Sequence, residues 1–158
     1  MAKKHRKKED NFLRNVLIIF GSVFVILMGV MIYYNITALD YDDFEQLGEY
    51  SEVAIQDEDL YAVYYYSTSC GACASIKEEI LKFAKENELG MKLYLLGYEV
   101  TARDNVARAL IVGPNDETLS SFPTLMIYQD GEMIEFLVNT TNITAFMDDV
   151  ASGDYTVE

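Results

Sequence analysis

Cys70 and Cys73 are the only two cysteines in this chain of 158 residues, and they end the stretch YYYSTSCGAC. Two thiols at this spacing can exchange electrons with another pair of thiols, supply two ligands of a metal site, or close a short structural disulfide. A cysteine acts as a nucleophile or a metal ligand only as the thiolate, which a helix N-terminus or a Cys-x-x-Cys motif stabilises. The elements around the two cysteines therefore decide which chemistry is open to them.

The residues on either side of the pair predict a strand followed by a helix. Leu60–Tyr66, LYAVYYY, consists of aromatic and aliphatic residues without a breaker, as expected of a buried strand. From Cys73 onwards the apolar residues recur at helical spacing, for example at Ile76 and Ile80. Cys70 is thus expected between the end of a strand and the first turn of a helix.

This position favours redox chemistry. The free backbone N–H groups and the positive end of the helix dipole would stabilise a thiolate at Cys70. Cys73, one turn further along, would lie on the same side and could attack a mixed disulfide formed at Cys70. Gly71 and Ala72 are small and would leave Cys70 open to a protein substrate. The candidate catalytic residues are therefore Cys70 and Cys73, with Gly71 and Ala72 as candidate substrate-binding residues.

A metal site, a structural disulfide and a chance spacing are the alternatives. Structural zinc usually takes four Cys or His ligands, whereas the chain has two cysteines and one histidine, His5, which lies in the basic N-terminal tail. No bound metal is therefore expected. A disulfide that closes so short a loop adds little stability, because the effect grows with loop length. A chance spacing stays open, but electron exchange is the interpretation that the motif favours.

The rest of the chain predicts alternating strands and helices. Further strands are predicted at Met91–Leu96, Pro123–Tyr128 and Glu132–Val138. Helices are predicted at Tyr41–Tyr50, from Cys73 to Asn87, at Thr101–Leu110 with Thr101 as cap, and at Asn142–Ala151. We expect parallel pairing where a crossover helix joins two strands, and an antiparallel hairpin at Asp130-Gly131. The fold class is α/β, with a mixed central sheet of about four strands and helices on both faces.

Val16–Tyr34, VLIIFGSVFVILMGVMIYY, contains no charged residue. At about 1.5 Å per residue, a helix of this length crosses the ~30 Å hydrocarbon core of a bilayer. Three interpretations compete. A buried helix of a soluble protein would carry a polar stripe, which this run lacks, and a cleaved signal peptide has a shorter apolar stretch followed by small residues. An uncleaved transmembrane anchor fits best.

The distribution of charge predicts the topology. Residues 1–15 carry six Lys or Arg against two acidic residues, which predicts a basic cytoplasmic tail. A transmembrane helix at 16–34 would then place residues 35–158 outside the cytoplasm, where disulfide chemistry is possible. Beyond Tyr34 the chain carries 24 acidic against six basic residues. So negative a surface argues against binding to nucleic acid.

Two stretches of the chain resemble the thioredoxin superfamily. One is the strand LYAVYYYSTS followed by CGAC and a helix; the other is SFPTLMIYQDGEMIEFLV, which is similar to that family's cis-proline strand and hairpin. The resemblance extends over Asp40–Val150 and implies a thioredoxin-like fold. It implies that Cys70 is the exposed nucleophile and that Cys73 resolves the mixed disulfide. It further implies that Pro123 is cis beside the cysteine pair and that Phe122 offers its backbone to an extended substrate peptide.

The sequence departs from thioredoxin near the second cysteine. Tyr64 stands where thioredoxin has a buried Asp that assists proton transfer from that cysteine, and Leu95 stands where it has a nearby Lys. Thioredoxin's Trp before the first cysteine is also absent, since the chain contains no Trp. Cys73 thus lacks an evident proton acceptor. Glu99, at the end of a predicted strand, is a candidate, although a solvated surface acid is the simpler interpretation.

The expected function is that of a membrane-anchored thiol–disulfide oxidoreductase acting on secreted or envelope proteins at the cell membrane. Its dithiol needs no bound cofactor but does need a redox partner, which we expect to be a membrane protein. The layout of anchor and domain resembles thioredoxin-like proteins of bacterial, especially Gram-positive, envelopes. The alternative is a thioredoxin-fold accessory or binding protein, for example in peptide or bacteriocin export, with little redox turnover. The Gly-Ala dipeptide between the cysteines does not indicate the direction of electron flow.

Overall fold

The computed structural model describes residues 2–37, 39–87, 89–101 and 104–156, and the chain divides into two units between Ala38 and Leu39. The first unit is a single helix, α1 (Ala2–Thr37). Within α1, the stretch Arg14–Tyr33 has a mean hydropathy of 2.7, and none of it is buried. Its length and composition suit a membrane span, and a signal sequence near an N-terminus has the same properties.

The strands and helices of the second unit follow the predicted order, except that the helix predicted at Tyr41–Tyr50 does not form and that two short helices replace the one predicted at Thr101–Leu110. Its strands are β1 (Leu60–Tyr66), β2 (Lys92–Gly97), β3 (Thr124–Gln129) and β4 (Glu132–Val138). Its helices are α2 (Gly71–Glu86), α3 (Tyr98–Thr101), α4 (Asn105–Ala109) and α5 (Asn139–Ser152). All four predicted strands are confirmed, and their ends differ from the prediction by no more than one residue.

The strands form one mixed sheet in the order β2-β1-β3-β4. β1 pairs in parallel with β2, and the register places Tyr64 opposite Leu95. On its other side β1 pairs antiparallel with β3, which in turn pairs antiparallel with β4. The mixed sheet is as predicted. We expected parallel strands wherever a helix joins two of them. This is confirmed for β1 and β2, which α2 connects. It is wrong for β3, which follows α3 and α4 but runs antiparallel to β1.

The predicted hairpin joins β3 to β4. Asp130 and Gly131 have φ angles of 52° and 80°, and a tight turn with two positive φ angles matches the right-handed twist of the strands that it connects. Gly131 adopts this conformation without a steric penalty because it lacks a Cβ atom. The Asp-Gly dipeptide therefore fixes β4 as the antiparallel edge strand.

Helices α2 and α5 cover one face of the sheet. Ala62, Tyr64 and Tyr66 of β1 point towards them, and Cys73 belongs to the same cluster of buried residues. The apolar face predicted for the last helix is buried there, with Ile143, Phe146, Met147 and Val150. Burying one such side chain contributes about 1.5–3 kcal/mol to the stability of the fold. Cys73 is thus held in a tightly packed layer between the sheet and the helices α2 and α5.

The opposite face of the sheet is covered mainly by loops. Tyr61, Val63 and Tyr65 of β1 point to this side. They pack with Leu47, Tyr50, Val53, Ile111 and Leu119 from the segments that precede β1 and β3. The alternation of side chains along β1 thus distributes its four tyrosines equally between two cores.

The helix predicted at Tyr41–Tyr50 does not form. The carboxylate of Asp43 accepts a hydrogen bond from the backbone N–H of Asp40, and the carboxylate of Asp40 accepts one from the backbone N–H of Asp43. This reciprocal cap closes one short 3-10 turn at Tyr41–Asp43. A second 3-10 turn follows at Tyr50–Glu52. Between the two turns the chain is extended rather than helical.

This extended segment pairs with the edge of β2. The N–H of Leu47 donates to the carbonyl of Leu95 at 2.8 Å, and the N–H of Leu95 donates to the carbonyl of Glu45 at 2.9 Å. The unpaired groups of an edge strand offer hydrogen bonds that outweigh a weak local preference for helix. The segment therefore crosses from one face of the sheet to the other, which carries Tyr41 and Tyr50 to different cores.

The ends of two other helices also differ from the prediction. Thr101 ends α3, and α4 is capped instead by Asp104, whose carboxylate accepts a hydrogen bond from the N–H of Ala107 at 2.8 Å. The prediction of Thr101 as cap is therefore wrong, and residues 102 and 103 of the predicted helix lie outside the described residues. α5 begins at Asn139, three residues before its predicted start.

Gly113 lies where the loop before β3 meets β4. A Cβ atom at this position would lie 2.8 Å from Cβ and Cγ of Phe136 and 2.9 Å from a carboxylate oxygen of Glu117. Because the Cβ of Phe136 is fixed by the backbone of β4, rotating a side chain cannot relieve the contact. We predict that Gly113→Ala lowers the free energy of unfolding by about 1–3 kcal/mol, measured by denaturant titration.

Gly48→Ala is the matched control. A Cβ at Gly48 would meet only a carboxylate oxygen of Glu52, at 3.8 Å, so we expect a change within about 0.5 kcal/mol. Equal stability of the Gly113→Ala variant and the unaltered protein would contradict the close approach of this loop to β4.

Candidate active site

The loop after β1 is held in place by polar contacts. Ser67 is buried, and its hydroxyl donates a hydrogen bond to the carboxylate of Glu99 at 2.6 Å. The backbone N–H of Thr68 donates to the same carboxylate oxygen at 2.9 Å. The N–H of Cys70 donates to the carbonyl of Ser67 at 3.2 Å. These bonds fix the direction in which the chain enters α2.

Cys70 is the N-cap residue of α2. Its Sγ accepts a hydrogen bond from the backbone N–H of Cys73 at 3.1 Å, which is one of the N–H groups left free at the start of a helix. The side chain of Cys70 is partly exposed, and the neighbouring Gly71 and Ala72 are exposed. The predicted position of Cys70 at a helix N-terminus is confirmed.

The peptide bond between Phe122 and Pro123 is cis, as the sequence resemblance implied. The thiol of Cys70 donates to the carbonyl of Phe122 at 3.8 Å. Pro123 is buried and Phe122 is half-buried, with the Phe122 ring centroid 6.0 Å from that of Tyr65 and 5.6 Å from that of Tyr98. The fold thus brings the start of β3 to the sulfur of the first cysteine.

Cys73 has a different environment from Cys70. It is only 1% exposed. Burial, followed by a hydrogen bond with the Cys70 thiol, raises the pKa of the Cys73 thiol to about 12, whereas the backbone of Ser67 and the hydroxyl of Tyr64 act in the opposite direction. At neutral pH the Cys73 thiol is therefore protonated and must lose its proton before it can attack a disulfide.

Three buried tyrosines share the core cluster of Cys73, and two of them, Tyr64 and Tyr41, have hydroxyls that are unpartnered within the described structure. Tyr64 is 0% and Tyr41 is 8% exposed, and their ring centroids lie 6.4 Å apart. Among the described residues, neither hydroxyl has a partner at ordinary hydrogen-bond geometry. Burial raises the pKa of both phenols, that of Tyr41 to about 12. The sequence identified Tyr64 only as the residue that stands where thioredoxin has a buried Asp. It did not identify Tyr41 as a neighbour of the site, because no local pattern shows that the segment of Tyr41 packs against β1.

Glu99 is engaged by the loop before Cys70. Its side chain is exposed, and its hydrogen bonds within the described structure come from Ser67 and Thr68 rather than from Cys73. Burial by itself would raise the pKa of Glu99, but the hydrogen bonds from Ser67 and Thr68 hold that pKa below its ordinary value. Glu99 therefore orients the loop that leads into α2.

The predicted site residues thus separate into an exposed and a buried group. Cys70, Gly71, Ala72 and Phe122 are accessible to another molecule, whereas Cys73 and Pro123 lie beneath them. Within the described part of the chain, no three His, Cys, Asp or Glu side chains are grouped so that they could hold a metal ion. The arrangement offers one accessible and one protected thiol, one helical turn apart.

The family model described as Thioredoxin matches residues 44–152, which is more than half of the chain and includes both cysteines. The chain therefore belongs to the thioredoxin family. Members of this family are generally thiol–disulfide oxidoreductases that act on thiols and disulfides of proteins. No curated protein sequence matches the chain.

Solved thioredoxin structures share the fold. Mitochondrial thioredoxin 3 from Saccharomyces cerevisiae, in its oxidized form, is 17% identical with a TM-score of 0.53, and the match covers 71% of this chain and 97% of that one. Fasciola hepatica thioredoxin is 14% identical with a TM-score of 0.52, and the match covers 69% of this chain and 98% of that one. At these identities the likeness shows the fold alone, so the activity has to be argued from the site.

The contrast between the two thiols predicts their reactivity. In reduced full-length protein at pH 7, we expect iodoacetamide to alkylate Cys70 in a Cys73→Ala variant at least about a hundredfold faster than it alkylates Cys73 in a Cys70→Ala variant. The reason is that Cys73 is both buried and almost entirely protonated. Mass spectrometry of the alkylated protein measures both rates, and in denaturant the two should become equal. Similar rates in the folded variants would contradict the assigned burial of Cys73.

The contacts of Glu99 predict a pH-dependent contribution to stability. Because the pKa of Glu99 is lowered in the folded protein, its contribution is present above the unfolded value of about 4.3 and is lost as the pH falls through the lower folded value. We expect Glu99→Gln to lower the free energy of unfolding at pH 7 by about 1 kcal/mol, since the bonds are partly screened by solvent.

Denaturant titrations of the Glu99→Gln variant at pH 7 and pH 3 test this prediction. The deficit should shrink at the lower pH, because the carboxyl group of the unaltered protein takes up a proton as the pH falls towards its lowered folded pKa. Glu79→Gln, on an exposed part of α2, is the control and should change little at either pH. A deficit that is the same at both pH values would contradict the role given to the ionised carboxylate.

Proposed function

We propose that this protein is a membrane-anchored thiol–disulfide oxidoreductase that acts on cysteines of secreted or envelope proteins through Cys70 and Cys73. The observation that carries the proposal is the position of the Cys70 sulfur, which caps α2, is partly exposed and lies 3.8 Å from the carbonyl of Phe122. A client disulfide can reach this sulfur from outside. Cys73 is one turn away but protected from other thiols, as a resolving cysteine must be. Membership in the thioredoxin family supports the same reaction.

In the reducing direction, the thiolate of Cys70 attacks one sulfur of a client disulfide. A mixed disulfide forms, and the other client sulfur leaves with the electron pair of the broken bond and takes up a proton. Cys73 then loses its proton and attacks Sγ of Cys70, which releases the second client sulfur as a thiol. Two electrons pass from the cysteine pair to the client, and the pair becomes a disulfide. The oxidising direction is the same sequence in reverse.

The client is held as an extended peptide beside Phe122 and Pro123, with Gly71 and Ala72 next to the reacting sulfur. Support comes from the exposure of Gly71 and Ala72, which place no bulky side chain around Cys70. The carbonyl of Pro123 accepts a hydrogen bond from the N–H of Asn139 at 3.0 Å. This bond ties the start of β3 to the start of α5 and gives the client a rigid edge.

The anchor in this proposal is the apolar part of α1. Residues 16–34 span the cell membrane once, the basic residues 1–15 stay in the cytoplasm, and residues 35–158 form the extracytoplasmic domain. The length and hydropathy of Arg14–Tyr33 and the excess of Lys and Arg before it support this topology. The dithiol carries the electrons itself, so no bound cofactor is required. A membrane protein confined to the same surface is the natural partner to regenerate it.

A second candidate function is that of a thioredoxin-fold accessory or binding protein with little redox turnover. It is favoured by Tyr64 and Leu95, which stand opposite each other in β1 and β2 where thioredoxin has charged groups. With a pKa of about 12 for Cys73, resolution of the mixed disulfide would be slow unless other groups stabilise its thiolate.

A trapping experiment distinguishes the two candidates. In cells, full-length Cys73→Ala should accumulate client proteins as mixed disulfides at Cys70, because the resolving thiol is missing. The adducts should appear on non-reducing gels and disappear after reduction. Cys70→Ala and the variant without either cysteine are the matched controls and should trap no clients.

The purified full-length protein in detergent should also catalyse the reduction of insulin by dithiothreitol, and loss of either cysteine should reduce this activity to background. Absence of adducts in Cys73→Ala, together with insulin reduction no faster than background in the unaltered protein, would contradict the oxidoreductase and leave the accessory protein.

A further inference from the structure

The buried hydroxyl of Tyr64 lies in the core against which the second cysteine packs. Tyr64 is 0% exposed and Cys73 is 1% exposed, and both belong to the cluster between β1 and α2. The hydroxyl has no partner at ordinary hydrogen-bond geometry among the described residues. Leaving a buried hydroxyl unpaired costs about 1–3 kcal/mol. A polar group at this place therefore calls for an explanation other than stability.

Tyr41 places a second such hydroxyl in the same cluster. It is 8% exposed, and its hydroxyl also has no ordinary partner among the described residues. Its ring lies 4.0 Å from that of Tyr66 and 6.4 Å from that of Tyr64. On its outer side, Nζ of Lys77 lies 4.6 Å from the ring centroid and pairs with Asp40 at 2.8 Å. These contacts hold the Tyr41 ring over β1.

We propose that the hydroxyl of Tyr64, oriented by that of Tyr41, donates a hydrogen bond to the sulfur of Cys73 as this sulfur becomes a thiolate in the resolving step. The inference rests on the proposed function, because it concerns the second half of that reaction. Tyr64 is then a catalytic residue, since it touches a reacting atom, and Tyr41 is a positioning residue. Tyr64 stands where thioredoxin has a charged residue, and Tyr41 packs in the same cluster with its ring centroid 6.4 Å from that of Tyr64.

A phenol at this position acts as a donor and not as a base. Burial, followed by the negative charges that Tyr41 and Cys73 would carry, raises the pKa of Tyr64 far above its ordinary value, so Tyr64 keeps its proton. In the resolving step the Cys73 proton leaves to water, the Cys73 sulfur bonds to Cys70, and the client sulfur departs with the electron pair. The groups that face the Cys73 thiol are Tyr64 from β1, Tyr41 from the preceding segment, and Cys70 from its own helix. The charged Lys77–Asp40 pair lies against the Tyr41 ring.

The resolving step can be observed separately from the first attack. Reduced full-length protein in detergent is mixed with excess 5,5′-dithiobis(2-nitrobenzoate), which forms a mixed disulfide at Cys70 and releases one thionitrobenzoate. Attack by Cys73 on that mixed disulfide then releases a second one. We expect Tyr64→Phe to leave the first phase unchanged and to slow the second about tenfold at pH 7. In this variant, the pH dependence of the second-phase rate should shift about one unit higher, which is equivalent to about 1.4 kcal/mol. Tyr41→Phe should shift the profile in the same direction by less.

Tyr61→Phe is the matched control. Tyr61 lies in the same strand but faces the opposite core, where its hydroxyl donates to the carbonyl of Val53 at 3.1 Å. Its loss should reduce stability without changing either phase. Tyr64→Phe removes a buried hydroxyl that is unpartnered among the described residues, so the variant should unfold at an unchanged or higher denaturant concentration.

An unchanged second phase in Tyr64→Phe would overturn the inference and leave the oxidoreductase intact. An equal shift in Tyr61→Phe would also overturn it, because the effect would then be structural. If the unaltered protein releases only one thionitrobenzoate, the proposed function fails and the inference fails with it.

Discussion

The hydrogen bond from the backbone N–H of Cys73 to Sγ of Cys70 links the fold of this protein to its chemistry. It exists because the short loop after β1 leads straight into α2, so that the first free N–H groups of α2 meet the side chain of the residue that caps them. The contacts of Ser67 and Glu99 fix the loop that delivers Cys70 to this point. Without the cap, the first sulfur would have neither a stabilising donor nor a fixed position beside β3.

The same turn of helix places the two sulfurs in opposite environments. Cys70 lies at the surface beside Phe122, whereas Cys73 is enclosed by the core between the sheet and α2. This asymmetry suits a dithiol in which one sulfur meets the client and the other waits, protonated, until a mixed disulfide forms. A dry core disfavours the thiolate that the second step requires, and in our account the phenols of Tyr64 and Tyr41 offset part of that cost.

Features encoded in short stretches of sequence could be predicted, and features that depend on distant contacts could not. The four strands, the hairpin at Asp130-Gly131 and the cap at Cys70 follow from local pattern and turn chemistry. The segment 41–50 has helical spacing, yet its middle part is extended because the edge of β2 offers it hydrogen bonds. For the same reason the sequence did not reveal Tyr41 as a neighbour of the site, since it reaches Tyr64 only after the segment has folded along that edge.

The equilibrium of the full-length protein with glutathione buffers tests the central claim most directly. If Cys70 and Cys73 form a redox couple, mass spectrometry will find an internal disulfide that forms and disappears in a single two-electron transition. Its potential should lie between roughly −270 and −120 mV, the span of dithiol oxidoreductases. A glutathione adduct that persists on Cys70 while Cys73 remains reduced would contradict the account.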